Sequence, residues 1–341
     1  MLRGRATIGL QKSLDGREDL RALLETDLGV EARYWLAVGG EARGDAEAAR
    51  RTYERTWASA TTGPWAERSA ERLAVLGHPV PNYVAGRQLV KDRIEALQSV
   101  FRYKDALVLR LGLAEVEGES ELSLADAHYR ARDYIEASRR YRAALGAPAV
   151  AKGGPETLVR YALASIRGSG DYDAASQIYL RLRALHPASK QADLASYKLG
   201  YTEFDRGSYE AARKAFGAHL SALPDSKYLD EALWFDAWSA WKLQDRKAAV
   251  AQFRELIRLR PSSSLAVGAH YWLARVEGLE GRADAERRGL EEVLRRWPVS
   301  GYAWYAADRL GREFPAKPAA SPPPWPASLA GHEAVLRSQV L

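Results

Sequence analysis

The chain has 341 residues, a formal net charge of +6 and no cysteine. Without cysteine there are no disulfides, no thiolate metal sites and no cysteine nucleophile. Acidic and basic residues alternate, as in AERRGLEEVLRR (285–296), which reads as solvated helix faces and not as the basic block of a nucleic-acid binder.

The opening MLRGRATIGLQKSLDGRED contains no apolar signal-peptide core, and no run approaches the ~18 apolar residues of a membrane span. From about residue 20 the pattern is one of helical pairs. YWLAVGGEARGDAEAARRTYERTW (Tyr34–Trp57) matches YWLARVEGLEGRADAERRGLEEVL (Tyr271–Leu294) almost helix for helix. FRYKDALVLRLGL (101–113) and RARDYIEASRRYRAAL (130–145) repeat a second-helix pattern through Tyr103 and Ala106, then Tyr134 and Ala137. Residues 1–145 therefore read as irregular N-terminal helical repeats. GAPAVAKGGPET (146–157) is a Gly/Pro-rich stretch, expected to be a hinge.

Residues 158–313 are more regular. Pro187, Pro224, Pro261 and Pro298 recur every 37 residues, each followed two positions later by Ser189, Ser226, Ser263 or Ser300. Tyr179, Phe216, Phe253 and Leu290 keep the same spacing, as do Gly170, Gly207, Gln244 and Gly281. The unit this implies is a helical hairpin. Aromatic and leucine residues at three- and four-residue spacing mark the first helix. The glycine position turns the chain. Alanines open a second helix, proline stops it, and serine caps the next. One hairpin cannot bury its apolar face alone, so neighbours must stack. The fold expected is all-α, a right-handed α-solenoid of tetratricopeptide-like hairpins, with a repeat of 37 residues against the commoner ~34. FPAKPAASPPPWPAS, covering 314–328, is a Pro/Ala-rich linker. The stretch 329–341 reads as the start of a further helix, cut short.

Signatures of chemistry are sparse. There is no phosphate-binding glycine loop, and His78, His128, His186, His219, His270 and His332 are scattered without metal-ligand spacing. No cofactor or metal site is expected. Glu115, Glu117, Glu119 and Glu121 form an acidic cluster that would suit glycoside cleavage only if an apolar setting raised one pKa. The residues read as a solvated loop. Trp234, Trp238 and Trp241 fall on one face of a first helix. Most such aromatics fill the space between helices. Trp238 and Trp241 exceed the repeat pattern, whose next copy has Arg275 and Gly278. Trp238, Trp241, Arg275 and Tyr201 are thus the candidate groove contacts, able to stack on a sugar or anchor a peptide.

WPVSGYAWYAADRLGREFP (Trp297–Pro315), with the preceding AHYWLARVEGLEGRADAE (269–286), resembles the end of the superhelical region of soluble lytic murein transglycosylases. The family's catalytic Glu-Ser and Gly-Leu-Met-Gln phrases have no counterpart. Glu119-Ser120 is the one tempting dipeptide, and the sole methionine is Met1. The resemblance implies a non-catalytic helical scaffold, a periplasmic setting, and peptidoglycan or a separate catalytic domain as partner. Whether the chain belongs to an enzyme is left open. The alternative is a stand-alone tetratricopeptide scaffold for a protein or peptide partner, in the envelope or the cytoplasm. Neither reading includes nucleic acid or a transmembrane segment, and neither fixes the oligomeric state.

Overall fold

A computed structural model of the chain describes residues 14–145 and 153–313. Most of the expected hinge (146–152), the Pro/Ala-rich linker (314–328) and the expected last helix (329–341) lie outside the described residues. Among the described residues there are seventeen α-helices and no strand. The chain is all-α, a solenoid built from consecutive packed hairpins. It divides into two compact units, Met1–Asp171 and Tyr172–Leu341.

The first unit contains α1 (Leu14–Ala22), α2 (Gly29–Ala42), α3 (Ala46–Ser59), α4 (Trp65–Val75), α5 (Arg87–Ser99), α6 (Tyr103–Glu117), α7 (Glu121–Arg130), α8 (Tyr134–Leu145) and α9 (Pro155–Ser169). Helix α2 packs on α3, α5 on α6, α7 on α8, and α8 on α9. Tyr53, Trp57, Leu73, Val90 and Leu97 fill the core between α3, α4 and α5. The two backbone carbonyls that directly follow α3 are served from α5 and from the turn before α6. The buried Arg93 donates to the Ala60 carbonyl, and Arg102 to that of Thr61 at 3.1 Å. Helix α9 starts at Pro155, inside the stretch expected to be loop, because proline at a first helical turn forfeits no hydrogen bond.

The second unit contains α10 (Tyr172–Leu185), α11 (Lys190–Asp205), α12 (Tyr209–Ala222), α13 (Leu229–Lys242), α14 (Arg246–Leu259), α15 (Ser264–Leu279), α16 (Ala283–Arg296) and α17 (Gly301–Arg309). Each helix packs on the next, and the first helices α11, α13, α15 and α17 also touch in sequence. Tyr179, Phe216, Phe253 and Leu290, the aromatic or leucine position of the second helix, are all 0–1 % exposed. Each repeat proline stands two residues past the last residue of its helix. Ser189 and Ser300 cap by accepting from the amides of Ala192 and Ala303, each at 3.1 Å. Ser226 and Ser263 also reach back one repeat, donating to Asp193 (2.6 Å) and Asp230 (2.7 Å). At Ser300 the register places Val267 where that carboxylate would stand, so the bond is not made.

The turns inside the hairpins share one backbone state. Gly44, Gly207 and Gly281 have φ of +80°, +85° and +80°, and the same position is held by Phe101, Arg132 and Gln244 at +62°, +62° and +61°. A left-handed residue is what lets the chain reverse after the helix; side chains there cost about 1–2 kcal/mol. Gln244→Gly relieves that strain but loosens the unfolded chain, leaving a net gain of about 0.5–1 kcal/mol. The expected result is a rise of about 1–3 °C in the thermal midpoint followed by circular dichroism. An unchanged or lower midpoint would contradict the assignment of strain.

Candidate functional site

The sequence nominated the surface of the first helices in the second unit, and the structure closes much of it. Helix α13 is buried from Ala232 through Ala240 without a break, because α11, α12, α14 and α15 all pack against it. Trp238 is 3 % exposed and stands edge-on to Trp272 with ring centroids 4.8 Å apart. As a groove contact it is corrected: it is core. Trp241 is half-buried, 5.9 Å from Trp238, and the Arg246 guanidinium covers its ring at 4.3 Å. Tyr201 packs edge-on to Phe235 at 5.1 Å and carries the Lys198 ammonium over its face at 4.2 Å. Arg275 is held by Glu286, whose Oε1 also accepts from Arg309 Nε at 3.2 Å. The four nominated residues therefore belong to one packed layer and do not line one open groove.

The register explains these differences. Phe204 meets Tyr209 edge-on at 5.7 Å. One repeat later the same two positions hold Trp241 and Arg246, and after another they hold Gly278 and Ala283. The space beside Gly278 is taken by the Glu286 carboxylate, which pairs with Arg275 at the position that Trp238 occupies one repeat earlier. An aromatic contact has been exchanged for an ion triad.

Two carboxyls in this layer are electrostatically unusual. Asp236 is 3 % exposed and burial raises its pKa, opposed by Arg213, whose Nε lies 3.1 Å from Oδ1. Glu231 occupies the register position of Leu194 and Gly268. Burial, with Asp230 beside it, pushes it up to about 7, and its buried Oε2 has no hydrogen-bond partner. A raised carboxyl contributes stability that is complete below the unfolded value of ~4.3 and is lost as pH rises through the folded one. Glu231→Gln removes that loss. Allowing for partial solvent screening, the variant should be more stable than the parent by on the order of 1 kcal/mol at pH 8 and equal to it at pH 4. Urea unfolding at the two pH values checks this, and a variant weakened at pH 8 would contradict it.

His219 is buried with neither ring nitrogen hydrogen-bonded, and its pKa is lowered by burial and by Arg183 against the pull of Asp193. Protonation would place a charge in the core. Among the described residues no group of three His, Asp or Glu side chains could hold a metal ion; His332 lies outside them. In the first unit the acidic cluster is dispersed into ion pairs. Glu117 pairs with Lys91, Glu119 with Arg110 and Glu121 with Arg140. Burial would raise Glu119, but hydrogen bonds from Arg110 and Ser123 outweigh it and hold the carboxyl below its ordinary value. A glycosidase acid would need the opposite shift.

A surface that the sequence reading missed lies between two hairpin connections. A cleft of about 790 Å³ opens between α10, the start of α11 and the end of α12. Its walls are Leu180, Ala184, Ala192, Ala222 and Leu223, and the turns through Pro187 and Pro224 form its edges. The signal for it was the placement of alanines in register, not a motif.

A sequence profile described as tetratricopeptide repeat matches residues 1–64, 165–227 and 237–300, more than half of the chain. No curated protein matches it. Among solved structures the chain is similar to YrrB, described as a TPR protein with an unusual peptide-binding site, at 16 % identity and a TM-score of 0.40 over 53 % of this chain and 90 % of that one. A tetratricopeptide repeat protein from Parabacteroides merdae ATCC 43184 is similar at 11 % identity and 0.39, over 81 % and 98 %. The apo form of RapI is similar at 13 % and 0.39, over 91 % and 89 %. Likenesses at this level assign no partner.

Proposed function

Since the chain belongs to the tetratricopeptide-repeat family, we propose that it is a protein-interaction scaffold that holds a protein or peptide partner against its helical hairpins. The observation that carries this reading is the family match across both units. The packing supports it. Trp, Arg and Glu side chains of the kinds that serve catalysis or sugar stacking are used here between helices, as in the Trp238–Trp272 contact and the Arg275–Glu286–Arg309 triad. Hairpin surfaces are what such a chain can offer to a partner.

Peptidoglycan binding, the other reading raised by the sequence, has little to rest on. The comparisons give no link to lytic transglycosylases. The phrase WPVSGYAWYAADRLG is accounted for by packing: Tyr302 and Tyr305 lie against Tyr271, and Trp297 against His270. The test is affinity capture with the immobilised chain, read by mass spectrometry, beside sedimentation with purified peptidoglycan. A protein partner retained in stoichiometric amount supports the proposal. Co-sedimentation with peptidoglycan, with no protein retained, would replace it.

A further inference from the structure

The cleft between the hairpin connections has a specific origin in the repeat register. Ala192 and Ala222 form part of its walls. One repeat later the same positions hold Leu229 and Leu259. Leu229 is 3 % exposed and Leu259 packs against the core, so side-chain carbon stands there where the two alanines leave room, beside Gly217 in the place of Leu180. Here the cleft is open, and much of its lining is apolar: Leu180, itself 47 % exposed, with Ala184, Ala188 and Leu223. Two leucines in place of Ala192 and Ala222 would add six carbon atoms, the bulk of one large aliphatic or aromatic side chain, to a cleft that is larger than that overall. A contiguous exposed apolar surface with a socket in it is the usual mark of a partner's anchor residue.

The rim carries a charge preference. Within the lining itself Asp193 and Asp225 face a single guanidinium, that of Arg183, while Lys190 and Lys227 on the same connections are not part of it. Asp193 keeps one oxygen for Ser226, and Asp225 is exposed with no ion pair among the described residues. The carboxylates outnumber the base, so a cation beside the anchor is favoured over an anion.

We propose that this cleft receives one bulky apolar side chain from an extended segment of a partner protein, with a lysine or arginine next to it in the partner's sequence. The proposal rests on the scaffold reading and gives it a location and a partner chemistry. The next repeat holds leucine at both positions, though beside Gly217 where this one has Leu180, so the fold of each filled variant is checked along with its binding. Ala222, on the exposed wall, is the safer of the two sites.

The test uses the full chain and random twelve-residue peptides displayed on phage. Peptides enriched on the parent protein are expected to share a leucine, phenylalanine or similar residue adjacent to Lys or Arg. Their affinity, measured by fluorescence anisotropy, should fall at least tenfold on Ala222→Leu and on Ala192→Leu/Ala222→Leu. Circular dichroism of both variants should be unchanged. Asp225→Arg should weaken the same peptides and shift a fresh selection towards acidic neighbours. Enriched peptides that bind Ala222→Leu as well as the parent would overturn the cleft while leaving the scaffold reading intact, since the binding surface would then lie elsewhere. No enrichment on the parent would overturn the cleft too, and with failed partner capture would remove both.

Discussion

Arg213→Met is expected to destabilise the second unit by about 2–4 kcal/mol, somewhat less than the loss of one member of a fully buried ion pair because the Arg213 side chain is 30 % exposed. Asp236 is 3 % exposed on α13, and the Arg213 guanidinium on α12 is its ionic partner, 3.1 Å away. Arg213 also reaches Asp245, at the start of α14, at 3.3 Å. One guanidinium therefore joins three consecutive helices. Its loss leaves Asp236 either charged in the core or protonated at neutral pH, and both are costly. The sign of the pH effect follows. The carboxyl of the variant rises further above its unfolded value, so the penalty is full at pH 7 and shrinks as pH falls into the range where unfolded Asp is itself protonated. Hydrogen exchange of α12–α14 amides, and urea unfolding at pH 7 and pH 4, report it. Arg213→Met/Asp236→Leu should recover most of the loss, because apolar side chains can replace a buried pair without leaving a charge. A double variant as unstable as the single one would show that shape, not charge, was at stake.

The hairpins were legible because their signals are local. Pro187, Pro224, Pro261 and Pro298 each act within one turn of chain, and the turn glycines act within one residue. Even so, the left-handed turn position was disguised where side chains occupy it. Gln244 could be aligned with Gly207 and Gly281, but nothing in Phe101 or Arg132 announces a φ of +62°. The candidate site was less legible, because burial depends on what stands opposite. Trp238 looked surplus to the repeat when compared with Arg275, and only the approach of Trp272 from α15 shows that it fills space. Arg275 looked like a free cation until Glu286 filled the gap beside Gly278. The cleft is the hardest kind of feature to read, since it consists of carbon atoms that two alanines do not have. It becomes visible only when Ala192 and Ala222 are set against Leu229 and Leu259.

The distinction between packing and recognition can be measured at the tryptophans. Trp238→Ala is expected to cost about 3–5 kcal/mol, the range for deleting a large buried aromatic side chain and leaving a cavity. Its ring sits among Trp234, Trp241, Phe253 and Trp272, with centroids 4.8–6.1 Å away, so the hole would open in the middle of the aromatic layer that joins α13, α14 and α15. Close packing on every side leaves few ways for that hole to collapse. Trp241→Ala should cost less. That side chain is half-buried at the end of α13, and beyond its apolar contacts it loses mainly the cation–π contact with Arg246, a term of about 0.5–2 kcal/mol. The two variants thus separate the hypotheses. If Trp238 is core, its variant unfolds at lower urea, loses hydrogen-exchange protection in α13 and α15, and binds partner peptides normally under conditions where it remains folded. If Trp238 were a recognition residue, stability would change little and binding would fail. Equal, small stability losses for the two variants would contradict the burial on which this account of the first-helix layer depends.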